Sequence, residues 1–213
     1  MGEQAFRAWR RKGYQRAGVL LAAAAFADIL WPVLVLAGVE QVRIVPGATA
    51  YTPLEFVSYP WSHSLLWLSL WGVLAGAAYR GILGGRRSFI VIAALVVSHW
   101  VLDWVTHAPD MPLYPGGPRV GLTLWNSVPG TLVIEGALFA TGVWLYLRTT
   151  RAVDGVGRWA LGALAVTLVV IDLANAFSPT PPPSAAAICS LALAAGVLFP
   201  SWAWWADRHR EAR

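Results

Sequence analysis

Residues 89–105 have the sequence FIVIAALVVSHWVLDWV, an apolar run that contains only Ser98, His99 and Asp103 as strongly polar residues. Its length is close to the roughly 20 residues that a helix needs to cross a bilayer. Five further stretches have the same character, at 19–39, 61–79, 131–147, 159–177 and 185–205. Backbone amides find no water partner in lipid, so such runs must be helical. The sequence therefore predicts an all-α, polytopic integral membrane protein with about six transmembrane helices, in one domain covering 1–213.

The composition supports this class of protein. Of 213 residues, 57% are hydrophobic and 13% are charged, about half the charged fraction of a soluble domain, which is ~25%. The mean hydropathy is +0.56, and there is a single cysteine. These values exclude a disordered chain, a disulfide scaffold and a nucleic-acid-binding module. The expected partners are membrane lipids, with a membrane-protein partner or a second copy of the chain as further candidates.

The basic residues predict the topology. Of the 16 Lys and Arg residues, 14 fall before the first span, in the second and fourth connections, or in the C-terminal tail. Only Arg43 and Arg119 fall in the other connections. Cytoplasmic loops carry the excess of Lys and Arg, so both termini are predicted to be cytoplasmic. The expected location is the bacterial cytoplasmic (inner) membrane, crossed several times.

Several ionisable residues lie inside the predicted spans. Charge at membrane depth costs several kcal/mol, which makes each such residue a candidate functional residue. They are Asp28, His63, His99, Asp103, Glu135 and Asp172, with His107 just beyond the third span. Most lie in the half of the membrane away from the cytoplasm, so we expect them to converge on one polar cavity that opens to the exterior.

The densest of these motifs lies at the end of the third span. His99, Asp103 and His107 are spaced i, i+4, i+8, which predicts one stripe on one helix face. An imidazole and a carboxylate at i, i+4 can share a metal ion. The alternative is a buried Asp–His hydrogen-bond network at a helix end. His63 lies in the first turns of the second predicted span. The alternative interpretation is that it is an interfacial residue beside Trp61.

Three short motifs resemble those of a known family. They are Ala27-Asp28-Ile29-Leu30-Trp31-Pro32, then Ser62-His63-Ser64-Leu65-Leu66, then Ser98-His99-x3-Asp103-x2-Thr106 followed by Pro112-Leu113-Tyr114-Pro115. Over residues 27–115 the chain is similar to the YdjM-like, LexA-regulated family of inner-membrane metal-dependent hydrolases. The resemblance implies kinship with zinc-dependent phospholipase C and S1/P1-type nucleases. It also implies hydrolysis of a phosphoester or ester.

The first hypothesis is thus a membrane-bound metal-dependent hydrolase that acts on a lipid-like substrate in the exterior leaflet. The predicted ligands of a divalent metal, with Zn²⁺ favoured by the His/Asp mixture, are Asp28, His63, His99 and Asp103. The predicted general base is Glu135 or Asp110, and His107 is the predicted proton donor to the leaving group.

The second hypothesis is a non-catalytic subunit of a larger membrane complex that binds lipid or pigment on a hydrolase-like scaffold. Leu30 and Ser58 stand where the family has an Asp and often a His, which favours this alternative. The 13 Trp residues also favour it. A third hypothesis, a small proton-coupled transporter, lacks the inverted repeat typical of such folds.

Overall fold

The structure is a computed structural model that describes residues 17–83, 85–178 and 180–213. It is mostly helical, with 69% of residues in helix and eight helices in the described part of the chain. The helices are α1 (Ala17–Ala24), α2 (Phe26–Leu36), α3 (Pro60–His63), α4 (Leu65–Leu83), α5 (Arg86–Thr106), α6 (Val128–Thr149), α7 (Gly155–Ala176) and α8 (Ala185–Arg208). The basic residues predicted to precede the first span, Arg7, Arg10, Arg11, Lys12 and Arg16, lie outside the described residues.

The helices match the six apolar stretches predicted from the sequence. Five of them, α4 to α8, are long and apolar enough to cross a membrane. The pair α1 and α2 meets the same test when taken together, as a sixth, bent segment. The helical class and the number of long apolar segments are therefore confirmed.

The first apolar segment is broken where one helix was expected. Between α1 and α2 the axis bends by 53° around Ala25, whose backbone angles are φ −90° and ψ 14°. The carbonyls of the last turn of a helix have no partner within that helix. The break therefore frees the carbonyl of Ala24, which lies at the end of α1, for a contact elsewhere in the fold.

The second apolar segment begins later than predicted. His63 was expected in its first turns, but it ends the separate one-turn helix α3. Ser64 follows in an extended conformation, with ψ 147°, and the long helix α4 starts at Leu65. The His63 imidazole therefore lies on a short helix whose direction differs from that of α4.

Two glycines bring α4 and α5 into close contact. A Cβ at Gly72 would lie 2.9 Å from the carbonyl oxygen of Ala93, and a Cβ at Gly76 would lie 2.7 Å from that of Phe89. Small residues four apart let two helix backbones approach in this way in membrane proteins. The close approach determines how far the His99 face of α5 lies from the start of α4.

The connections contain strands that the all-α prediction did not include. Three antiparallel pairs form, between β1 (Gln41–Ile44) and β2 (Leu54–Ser58), β3 (Met111–Pro112) and β4 (Arg119–Val120), and β5 (Thr150–Ala152) and β6 (Arg210–Ala212). The β1–β2 and β3–β4 pairs lie at the same end of the long helices as the predicted site residues His63, Asp103 and His107. The third joins the C-terminal tail to the α6–α7 connection at the opposite, Arg-rich end.

The core lies between α1, α2, α4, α5 and the start of α8. Fully buried side chains there include Ala27, Leu68, Val96 and Cys189. The core encloses the helix faces that carry Asp28, His99 and Asp103, and it therefore positions the site described next.

Candidate metal centre

Four predicted ligands lie together, contributed by α2, α3 and α5. Nε2 of His99 lies 3.2 Å from Oδ2 of Asp103 and 3.6 Å from Oδ1 of Asp28. Nε2 of His63 lies 3.7 Å and 3.8 Å from the same two oxygens. Because both oxygens lie so close to one nitrogen, they are at most about 6.8 Å apart. The structure thus brings Asp28, His63, His99 and Asp103 into one cluster, below called the His/Asp cluster.

His99 is oriented by the helix break described above. Its Nδ1 lies 2.9 Å from the carbonyl oxygen of Ala24, and a carbonyl can only accept a hydrogen bond. Nδ1 must therefore carry the proton that it donates to Ala24. In a neutral imidazole this leaves Nε2 with a lone pair, and that lone pair faces the carboxylates of Asp28 and Asp103.

His63 is oriented by a hydrogen-bond chain that the sequence did not reveal. The hydroxyl of Ser62 donates to Oε2 of Glu40 at 2.6 Å, and it lies 2.7 Å from Nδ1 of His63. A hydroxyl has one proton to donate. Since Ser62 gives that proton to the carboxylate, Nδ1 of His63 donates to Ser62, and Nε2 again keeps the lone pair.

Glu40 is the functional candidate that sequence reasoning missed. Its side chain is buried, and Oε1 also accepts from the backbone N–H groups of Trp61 and Ser62 at 2.8 Å and 2.9 Å. The residue lies 22 positions before Ser62, in the turn that leads into β1. No local spacing in the sequence relates the two, so only the folding of the first connection could identify the contact.

Three residues of the cluster, Asp28, His63 and His99, have the donor atoms and spacing of a single-ion site. Zn²⁺ is bound at about 2.0–2.2 Å by His and Asp in tetrahedral geometry, which places neighbouring donor atoms about 3.4 Å apart. The four nitrogen–oxygen separations, from 3.2 to 3.8 Å, bracket that value. In the described part of the chain, Nε2 of His99 and Oδ2 of Asp103 are buried and make no hydrogen bond. Donor atoms of Asp28, His63 and His99 all lie within 4.8 Å of one another, so these three residues fit a divalent metal. Asp103 lies beside them, next to His63 and His99.

Among the described residues, Asp28 is the most exposed member of the cluster. The side chain of Asp28 is 63% exposed, whereas those of His63, His99 and Asp103 are 4%, 11% and 15% exposed. A substrate or a water molecule can therefore approach from the Asp28 side. The other three ligands would be shielded by the packed helices.

His107 and Asp110 form a second pair beside the cluster. His107 was predicted on the same stripe as His99 and Asp103, but it caps α5 in an extended conformation with ψ 156°. Its Nδ1 lies 3.1 Å from Oδ1 of Asp110. Tyr59 donates its hydroxyl proton to the same oxygen at 2.8 Å. Burial, and then the charge of Asp110, raise the pKa of the Tyr59 phenol, which keeps it a donor.

Glu135 and Asp172 belong to a third polar group, centred on Trp125. The indole Nε1 of Trp125 donates to Oε1 of Glu135 at 3.3 Å, and its ring stacks on that of Tyr51. The hydroxyl of Tyr51 donates to Asp172. Asp172, on α7, therefore bonds to a residue of the β1–β2 loop.

Trp125 connects this third group to His107, since their ring centroids lie 4.4 Å apart. The hydrogen bond of Glu135 is made to Trp125. Of the three predicted acid–base residues, His107 and Asp110 pair directly with each other.

Comparison of the chain with models of known protein families, with curated proteins and with solved structures found no match. The site's function must therefore be argued from its own geometry and chemistry.

Proposed function

We propose that this chain is a metal-dependent hydrolase embedded in the bacterial cytoplasmic membrane, with the metal held by Asp28, His63, His99 and Asp103. One observation carries the proposal. Two imidazoles, each with Nδ1 committed to a protein acceptor, turn their Nε2 atoms towards two carboxylate oxygens at 3.2–3.8 Å. Ligating histidines typically donate their other ring N–H in this way.

The distances favour a metal over a set of ion pairs between protonated histidines and aspartates. Charge-assisted N–H···O bonds are about 2.7–2.9 Å long, and all four contacts are longer than that. A divalent cation with two neutral imidazoles and two carboxylates also gives a site with no net charge. A neutral site is the cheapest one to place at membrane depth.

The chemistry assigned to the site is hydrolysis of a phosphoester or ester. A bound divalent metal supplies a Lewis acid that polarises a phosphoryl or carbonyl oxygen and lowers the pKa of water. Asp110 holds the Nδ1 proton of His107, which leaves Nε2 of His107 as the atom that exchanges a proton with the nucleophile or the leaving group. Tyr59 keeps Asp110 in place. Glu135 is the alternative base, acting from the Trp125 side.

The substrate assigned to the site is a lipid-like molecule in the exterior leaflet. The positions of Arg80, Arg86, Arg148, Arg158 and Arg208 at one end of the long helices support cytoplasmic termini under the positive-inside rule. The His/Asp cluster lies at the other end. Its opening at Asp28, on the bent apolar segment formed by α1 and α2, suits a substrate that enters sideways from the membrane.

Metal analysis of the purified protein tests the proposal. We expect about one divalent ion per chain in the wild type and a loss of most of it in His99→Ala. Ser98→Ala is the matched control, because the Ser98 hydroxyl donates its hydrogen bond to the carbonyl of Leu95 within the same helix. Equal metal contents in the wild type and His99→Ala would overturn the metal site and favour the non-catalytic membrane subunit.

A further inference from the structure

A cavity of about 710 Å³ lies between the loop that joins β1 to β2 and the turn that joins α7 to α8. None of the four cluster residues lines it. It is lined by the last residues of α7 and the first two turns of α8, so in the proposed topology it is near the level of the lipid headgroups on the exterior side.

The walls of the cavity are stiff. Five prolines line it, namely Pro46, Pro53, Pro181, Pro182 and Pro183. Proline fixes the backbone angle φ, so these walls lose little conformational freedom when a ligand binds. A preformed wall lowers the entropic cost of binding. The prolines therefore favour a cavity whose shape exists before a ligand binds.

The lining is largely apolar, and its polar groups are uncharged. Among the described residues that line the cavity there is no Asp, Glu, Lys, Arg or His. Thr52, Asn175 and the aromatic rings of Tyr51 and Trp125 are there instead. Within the described part of the chain the structure shows no hydrogen bond to the side-chain amide of Asn175, which leaves it free to donate to and accept from a ligand.

One wall separates the cavity from the acid–base pair. Phe56 and Trp125 both line the cavity, and their ring centroids lie 4.8 Å and 4.4 Å from that of His107. A group bound in the cavity is therefore about one aromatic ring away from His107.

We propose that this cavity binds the uncharged, hydroxyl-bearing headgroup of a membrane lipid. The hydroxyl and amide groups supply hydrogen bonds, the aromatic rings pack against the carbon skeleton, and the absence of cationic side chains in the described lining selects against phosphate. The proposal deepens the proposed function, on which it rests, by naming the substrate class as a neutral, hydroxylated lipid. The headgroup lies in the cavity while the bond to be cleaved lies at the cluster.

The test uses the full chain in phosphatidylcholine nanodiscs, with bound lipid measured by native mass spectrometry. The probes are a glucosyl diacylglycerol, phosphatidylglycerol and unmodified diacylglycerol. We expect the wild type to retain the glucosyl lipid about tenfold better than either other probe, as expected for a site that hydrogen-bonds a hydroxyl group. Equal retention of the three probes would overturn the proposal, and so would equally strong binding of free methyl glucoside.

Two variants locate the binding. Ala176 lines the cavity, so Ala176→Trp fills it and should abolish the preference, whereas Ala174→Trp, at an exposed position of the same helix outside the lining, should not. Asn175→Leu keeps the volume but removes the amide, and it should reduce the preference while the total lipid bound is unchanged. A preference that survives both Ala176→Trp and Asn175→Leu would overturn the assignment to this cavity.

His99→Ala separates this proposal from the proposed function. This variant should lose metal but keep the preference for the glucosyl lipid, because no cluster residue lines the cavity. A wild type that prefers the glucosyl lipid but contains no metal would refute the hydrolase and leave the binding site standing. A wild type that contains metal without any lipid preference would do the reverse.

Discussion

The hydroxyl of Ser62 lies 2.7 Å from Nδ1 of His63, and this contact determines which ring nitrogen faces the carboxylates. The hydroxyl is itself committed to Glu40. The hydrogen-bond chain Glu40–Ser62–His63 therefore keeps the proton of His63 on Nδ1. The carbonyl of Ala24 keeps the proton of His99 on Nδ1 in the same way. Both imidazoles present Nε2 to the same two oxygens.

Glu40→Gln is predicted to weaken metal binding. A Gln keeps an acceptor oxygen for the backbone of α3 but loses the negative charge that draws the Ser62 proton. Loss of such an outer partner typically costs about 10–100-fold in metal affinity. Competition with a zinc chelator measures the change, and the ¹⁵N shift of His63 Nδ1 reports the tautomer. Glu55→Gln, an exposed carboxylate on β2, is the control and should leave the affinity and the shift unchanged.

Asp110→Asn is predicted to reduce turnover without removing the metal. Asp110 pairs with His107 but lies outside the His/Asp cluster, so its loss affects proton transfer, which contributes about 10²–10⁴-fold to rate. Metal content and kcat are measured on the same preparation with the lipid substrate class proposed above. Asp28→Asn should lose both. If Asp110→Asn lost metal in parallel with activity, Asp110 would be a ligand rather than a partner of the base.

Gly76→Leu is predicted to destabilise the protein by separating α4 from α5. Even a Cβ at this position would meet the Phe89 carbonyl oxygen at 2.7 Å, and overpacking typically costs about 1–3 kcal/mol. Thermal unfolding in detergent measures the effect as a lower Tm. Gly81→Leu is the control on the same helix, where a Cβ meets nothing within 4 Å. Equal Tm values for the two variants would show that the two helices are not in close contact.

Asp154 caps the N-terminus of α7. It is predicted to make the free energy of unfolding depend on pH in the acid range. The hydrogen bond from the backbone N–H of Gly157, followed by that of His209, lowers the pKa of Asp154. A carboxyl group whose pKa is lower in the folded state stabilises the fold above its unfolded pKa of about 3.9. That stabilisation is lost as the pH falls through the lower, folded value. Asp154→Asn should therefore lower Tm at pH 6 and have less effect as the pH falls below 4.

Ser127→Ala is the matched control for this pH effect. Ser127 caps α6 in the same way, accepting from the N–H of Gly130 at 3.1 Å, but its hydroxyl does not titrate. Its loss should cost about 1 kcal/mol at every pH. If the Tm difference between the wild type and Asp154→Asn were as constant with pH as that of Ser127→Ala, the carboxylate would have no part in the cap's stability.

The topology is tested by labelling introduced cysteines with a membrane-impermeant maleimide in intact cells. Arg119→Cys, in the connection that carries β4, should react from outside, and Arg151→Cys, on β5, should react only after the cells are opened. The single native Cys189 is buried and should give little background. The opposite pattern would place the His/Asp cluster on the cytoplasmic side.

The sequence alone was sufficient to predict the long helices, because a bilayer-length apolar run has no alternative to helix in lipid. It was also sufficient to identify Asp28, His63, His99 and Asp103 as candidates, since polar side chains within such runs are costly and therefore few. Spacing within one helix related His99 to Asp103, four residues apart. These inferences depend on local composition or on one helix period, and both are visible in the chain itself.

Only the tertiary structure determined how those residues meet and which others support them. The break at Ala25, the extended Ser64 and the folding back of Glu40 onto Ser62 depend on packing between segments far apart in sequence. His107 lies off the predicted stripe because α5 ends before it, so its partner is Asp110. Contacts of this kind are set by the loops and helix ends, where no periodic pattern constrains the backbone and long-range packing determines the conformation.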